Sequence, residues 1–109
     1  MSEDTITCTD WTVNTIYCYT LTGQQIWAFK DEQVLREPLG IALDIHRNVY
    51  VAGYETNNIV VLSPDGKNCR EILTQSDGLD EPWSLRVNID RSEFLVCNES
   101  GQAFLFPLH

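Results

Sequence analysis

The chain has 109 residues, 43% of them hydrophobic, and its sixteen acids outnumber seven Lys and Arg to give a formal charge of −9. That length allows one domain with a modest core. The charge opposes non-specific attraction to nucleic acid or an anionic membrane, so a macromolecular partner is expected to be neutral or basic.

Residues 6–9, 16–20 and 25–30 read as three strands, the last carrying Ile26, Trp27, Ala28 and Phe29. Residues 31–38 form a charged connection, after which four strands are expected at 39–44, 48–53, 58–63 and 68–74. Ser63-Pro64-Asp65-Gly66 has Pro at the second and Gly at the fourth position of a type I turn. A second connection, 75–82, leads to strands at 83–88, 93–98 and 102–107. The runs are short, rich in Val and Ile and punctuated by turn residues, which argues against helices. The middle strands, such as Val49-Tyr50-Val51-Ala52 and Ile59-Val60-Val61-Leu62, are apolar almost without alternation, so both faces of their sheet should be covered.

The three groups repeat. Moved forward by 44, the stretch 37–67 lies without a gap on 81–109 as far as the chain runs: Glu37/Glu81, Pro38/Pro82, Ile45/Ile89, Arg47/Arg91 and Glu55/Glu99 coincide. Moved back by 43, Val49 to Ala52 fall over Ile6 to Thr9, and Gly66 falls over Gly23. A period near 44 in an all-β chain predicts propeller blades. The units are 5–30, which lacks a first strand, a complete unit at 39–74, and 83–107, which lacks a fourth. A two-sheet sandwich is the alternative and predicts more alternation.

Chemistry-bearing residues are sparse. There is no Gly-rich phosphate loop, H-E-x-x-H or G-x-S-x-G, and no cofactor is expected. His46 reads as a solvated turn residue, and His109 is terminal. The four cysteines lack both C-x-x-C spacing and the density of a disulfide scaffold, and read as reduced thiols in or near the core. Asn98-Glu99-Ser100 matches a glycosylation sequon, of consequence only in a secreted protein. The acidic N-terminus lacks an apolar signal core and no run reaches spanning length, so a soluble, cytoplasmic protein with no membrane partner is expected. Trp83 is expected in the core. Trp11 and Tyr54 fall at equivalent loop positions and form either packing contacts or an exposed aromatic pair.

Pro38, Gly40, Asp44, Asn48, Tyr50, Asn57, Asn58 and Asp65-Gly66 together make a pattern that resembles the NHL repeat. The flanking units are degenerate, with Ser84 and Asn88 where that pattern has Gly40 and Asp44. The resemblance implies an all-β fragment of a six-bladed propeller, about two and a half blades, with the fourth strand of a last blade donated by the start of the domain. It also implies a non-catalytic scaffold within a tripartite-motif-type ubiquitin ligase, whose ligase module would lie upstream. The alternatives are a calcium-dependent lactonase-like propeller, with Asp10, Asp44, Asn88 and Asn98 as candidate ligands, and an RNA-binding propeller. Asp44 has the competing use of capping its own turn.

Charge divides between the two rims expected of such a fold. One collects nine acids (Asp10, Asp31, Glu32, Glu37, Glu55, Asp77, Asp80, Glu81, Glu99) against Lys30 and Arg36, while the other is near balance. An acidic rim disfavours RNA and suits a basic protein or peptide, with Trp11, Tyr54, Glu55, Asp77, Asp80 and Glu99 as candidate contacts. A solvated rim without a partner is the competing reading. Open apolar sheet faces also predict self-association.

Overall fold

A computed structural model describes residues 5–88 and 90–107; Ile89 of the repeat overlay and His109 lie outside the described residues. Among the described residues ten strands form three antiparallel sheets. The first contains β1 (Thr5–Asp10), β2 (Thr15–Thr20) and β3 (Gln25–Phe29) in that order. The second contains β4 (Pro38–Leu43), β5 (Val49–Gly53), β6 (Asn58–Leu62) and β7 (Cys69–Leu73). A 3₁₀ turn at Gln75–Asp77 precedes the third sheet, made of β8 (Pro82–Asn88), β9 (Glu93–Asn98) and β10 (Ala103–Pro107). Among the described residues no helix is long and apolar enough to cross a membrane.

Each sheet is a meander because each turn has the residues its backbone demands. The Gly66 amide donates to the Ser63 carbonyl at 2.9 Å, and Gly66 takes φ 73°, a conformation in which a side chain is strained. Asp44 closes the β4–β5 turn as the capping reading predicts. Its Oδ1 accepts from the His46 and Asn48 amides, and its Oδ2 from Asn48 Nδ2 and the Tyr50 hydroxyl, all within 3.1 Å. Those bonds hold the Asp44 carboxyl below its ordinary range against the opposing effect of burial, while burial and the Asp44 charge push Tyr50 up to about 12.

Period-two alternation in the second sheet feeds two separate cores. Val49, Val51, Val60 and Leu62 face the first sheet and pack with Ile16, Trp27 and Phe29. Tyr50, Ala52 and Ile59 face the third and pack with Leu85, Phe94 and Val96. β5 is buried along its whole length, as the continuous apolar run predicts. Each core is plugged by a leucine from the preceding connection, Leu35 at 0% and Leu79 at 2% exposure. Burying such a side chain contributes about 1.5–3 kcal/mol. The innermost strands β4 and β8 run side by side, and a Cβ on Gly40 would meet Ser84 Cα and the Trp83 carbonyl oxygen at 2.8 Å. Glycine is therefore required there by the approach of two backbones.

Four expectations need correction. Trp83 is 48% exposed, because a register shift between Pro82 and Ser84 leaves Pro82 and Leu85 facing inward and Trp83 outward. Cys8 and Cys69 are exposed on outer strand surfaces, whereas Cys18 is buried and Cys97 half-buried; all four are free thiols. The first connection, read only as a charged link, carries the buried Leu35, as the second carries Leu79. Finally, the gapless overlay conceals two compensating one-residue steps. Val51 pairs with Ile41 and Val60, and Val96 pairs with Leu85 and Phe104, so β9 is displaced by 45 while its neighbours are displaced by 44. The β8–β9 connection has gained a residue and the β9–β10 loop has lost one.

Candidate functional site

The loops after β1, β5 and β9 meet the two connections at one end of the sheets, where an asparagine clasp joins each sheet to the next. Asn14 and Asn57 occupy the left-handed region at φ 54° and 53°, which Asn tolerates better than most residues. Asn14 Oδ1 accepts the Glu37 amide and Asn57 Oδ1 accepts the Glu81 amide, each at 2.8 Å. Glu37 and Glu81 are themselves at φ 50°, immediately before Pro38 and Pro82. Their carbonyls accept the Tyr54 amide at 3.0 Å and the Glu99 amide at 3.1 Å. Tyr54 and Glu99 are thus structural equivalents, and the sequence coincidence of Glu55 with Glu99 is not a spatial one. In the third sheet Gly101 stands at the clasp position, with no side chain to offer.

Side chains tie the same end together. Asn14 Nδ2 donates to Glu32 Oε2 at 2.8 Å, and Lys30 Nζ lies 3.8 Å from it, so Glu32 is held below its ordinary range. Arg36 donates from Nε to Glu55 Oε1 at 2.5 Å and from a terminal nitrogen to the Glu32 carbonyl at 2.7 Å. Glu37 is pushed the other way, by burial first and then by the neighbouring Glu55 carboxylate. Both basic side chains of this end are consumed by its own acids.

The candidate contacts share this end but do not converge on one point. Trp11 is 53% exposed at the tip after β1, and Tyr54 is half-buried at the equivalent tip after β5; among the described residues the two rings make no contact with each other. Glu55, Asp80 and Glu99 are exposed. Asp77 is committed locally, since its Oδ2 accepts the Thr74 amide at 2.9 Å as the cap of the 3₁₀ turn. Sequence reasoning missed Asn14 and Asn57 as clasps, although they coincide under the 43-residue overlay. It counted Arg36 only as charge.

No family model matches the chain. It is similar to the E3 ubiquitin-protein ligase TRIM56 of Mus musculus, with 26% identity over 98 residues that cover 89% of this chain and 13% of that protein. The fold resembles the virginiamycin B lyase of Staphylococcus aureus, with TM-score 0.68, 19% identity, and coverage of 98% of this chain and 39% of the lyase. A streptogramin B lyase structure aligns at TM-score 0.69 and 17% identity, covering 99% of this chain and 38% of that one. The sheets are propeller blades. At such identities the likeness to the lyases concerns the fold alone, and the chain spans well under half of each relative.

The candidate metal ligands are scattered over these blades and serve their own turns. Asp10 Oδ1 accepts from the Thr12 amide and hydroxyl, Asn88 Oδ1 from the Arg91 amide at 3.3 Å, and Asp44 closes its turn as described. Among the described residues no three His, Cys, Asp or Glu side chains are grouped to hold a metal. Asn98 is 3% exposed, with Oδ1 accepting from the Ser100 hydroxyl and the Gln102 amide, so the sequon asparagine is folded into its blade.

Proposed function

We propose that these blades belong to a non-catalytic, NHL-like binding scaffold of tripartite-motif type, and that their clasped acidic rim recognises a basic protein or peptide. One observation carries this reading: Lys30 and Arg36 are each paired with a rim acid, while Asp80 and Glu99 are exposed at the same end as the half-buried Tyr54 and exposed Trp11. Carboxylates without internal partners raise the on-rate of a cationic ligand, and an aromatic anchor supplies contact area at little entropic cost. The similarity to TRIM56 supports the scaffold reading. Single-stranded RNA needs a basic groove, and this rim opposes it.

The test is a paired experiment on the chain, a pull-down with basic protein baits and a gel shift with single-stranded RNA. Loss of a basic protein partner on Glu55→Lys with Asp80→Lys supports the proposal. Salt-sensitive RNA binding that the same substitutions leave unchanged overturns it.

A further inference from the structure

The two interfaces between blades differ at their periphery. At the first, Trp27 on β3 lies over the β6–β7 turn; its Nε1 donates to the Pro64 carbonyl at 3.0 Å, and its ring covers Gly66 so closely that a Cβ there would clash. Trp27 pairs with Cys18 on the neighbouring strand, and the equivalent pair in the second blade is Arg70 with Val61. An arginine thus stands where the first interface has an indole. Beside it a crevice of about 360 Å³ opens between the second and third blades, lined by Tyr50, Val61, Ile72, Phe94, Phe106 and Arg70. The volume is within the usual range for small-molecule sites.

We infer that this crevice is a binding site for a small amphipathic carboxylate, whose apolar body lies against Phe94, Phe106 and Ile72 and whose head pairs with Arg70. Three features support that occupant. Among the described residues no carboxylate is within ion-pair distance of Arg70, although the chain as a whole is strongly acidic. Arg70 lines the crevice together with Tyr50 and Val61. A second hollow shares Tyr50, Val61 and Arg70 and extends the groove toward Asn48 and Asn68. Glu71 also borders the crevice, but its Oε2 is held by Asn58 Nδ2 at 2.6 Å. A guanidinium presents a planar fork to a carboxylate, and the bond between two charged partners is about twice as strong as a neutral one.

The test titrates the ¹³C-labelled chain with decanoate and, separately, with decanol, following the aromatic and methyl resonances of the crevice. Saturable decanoate shifts at Tyr50, Val61 and Phe106 are expected. Arg70→Gln should weaken decanoate about tenfold and leave decanol unchanged, with partial recovery in Arg70→Lys. Equal decanoate affinity in the wild-type and Arg70→Gln chains would overturn the proposal. So would shifts confined to Tyr17 and Leu105 on the outer blade faces, or no saturable shift at all.

Discussion

The interface between the first two blades and the one between the second and third solve the same problem with different residues. Both have an asparagine clasp, a leucine plug and close-packed sheets. At the periphery the first is sealed by Trp27 on Gly66, whereas the second packs the tilted rings of Tyr50, Phe94 and Phe106 at 5.6–5.7 Å and leaves a crevice beside Arg70. The shared elements come from the connections and the rim, which suggests that these fix how consecutive blades meet. The exchange of Trp27 for Arg70 lies on the outermost strands, where side chains can change without moving the blades apart.

Breaking the plugs should have the largest effect. Leu35→Ala and Leu79→Ala should each destabilise by about 2–5 kcal/mol in urea denaturation, because each empties a filled core site. A loss confined to one of them would mean that the two interfaces are not held alike. Next comes the seal. Gly66→Ala adds a Cβ at positive φ beneath the Trp27 ring and should destabilise by about 1–3 kcal/mol, whereas Gly101→Ala, at positive φ in open space, should show the backbone strain without the clash. The clasp follows. Asn57→Gly keeps the left-handed backbone but removes the acceptor of the Glu81 amide, with an expected loss of about 0.5–1.5 kcal/mol.

The overlay found the blades, and the Val and Ile runs found nearly every strand, because both depend on local pattern. Trp83 was misjudged because a register shift inside β8 reverses its facing, and no residue type announces such a shift. Leu35 and Leu79 were hidden among charged neighbours, though they recur at the repeat spacing and were open to discovery. The one-residue displacement of β9 was masked by compensation: an inserted and a deleted residue leave the overlay gapless, and only strand pairing separates them. The acidity of the rim was legible as a count of residues. That Arg36 is neutralised on the spot was not, since its pairing with Glu55 across 19 residues depends on the fold.

Smaller effects sharpen the contrast between charged and apolar surfaces. Glu37 is raised above its ordinary range, so the native state holds that proton more tightly than the unfolded chain does. Its stabilising contribution is therefore present below the unfolded value and lost as pH rises through the folded one. Glu37→Gln should accordingly raise the melting temperature slightly at neutral pH and change nothing in strong acid. Although its side chain reaches the surface, Cys69 is pushed up to about 11, by partial desolvation from its neighbours and then by the Asp31 and Glu71 charges. Its thiolate fraction at neutral pH should fall about a hundredfold below that of an unperturbed thiol, and slow iodoacetamide labelling, followed by mass spectrometry, checks this.

The most direct test of the acidic rim is calorimetric titration of a Lys- and Arg-rich peptide into two variants of equal net charge. Glu55→Lys with Asp80→Lys reverses charge on the rim, and Asp90→Lys with Glu93→Lys reverses it at the opposite end of the third blade. The expected result is binding lost in the first and retained in the second. Equal weakening in both would show that only overall charge attracts the peptide and would contradict a rim that recognises a partner.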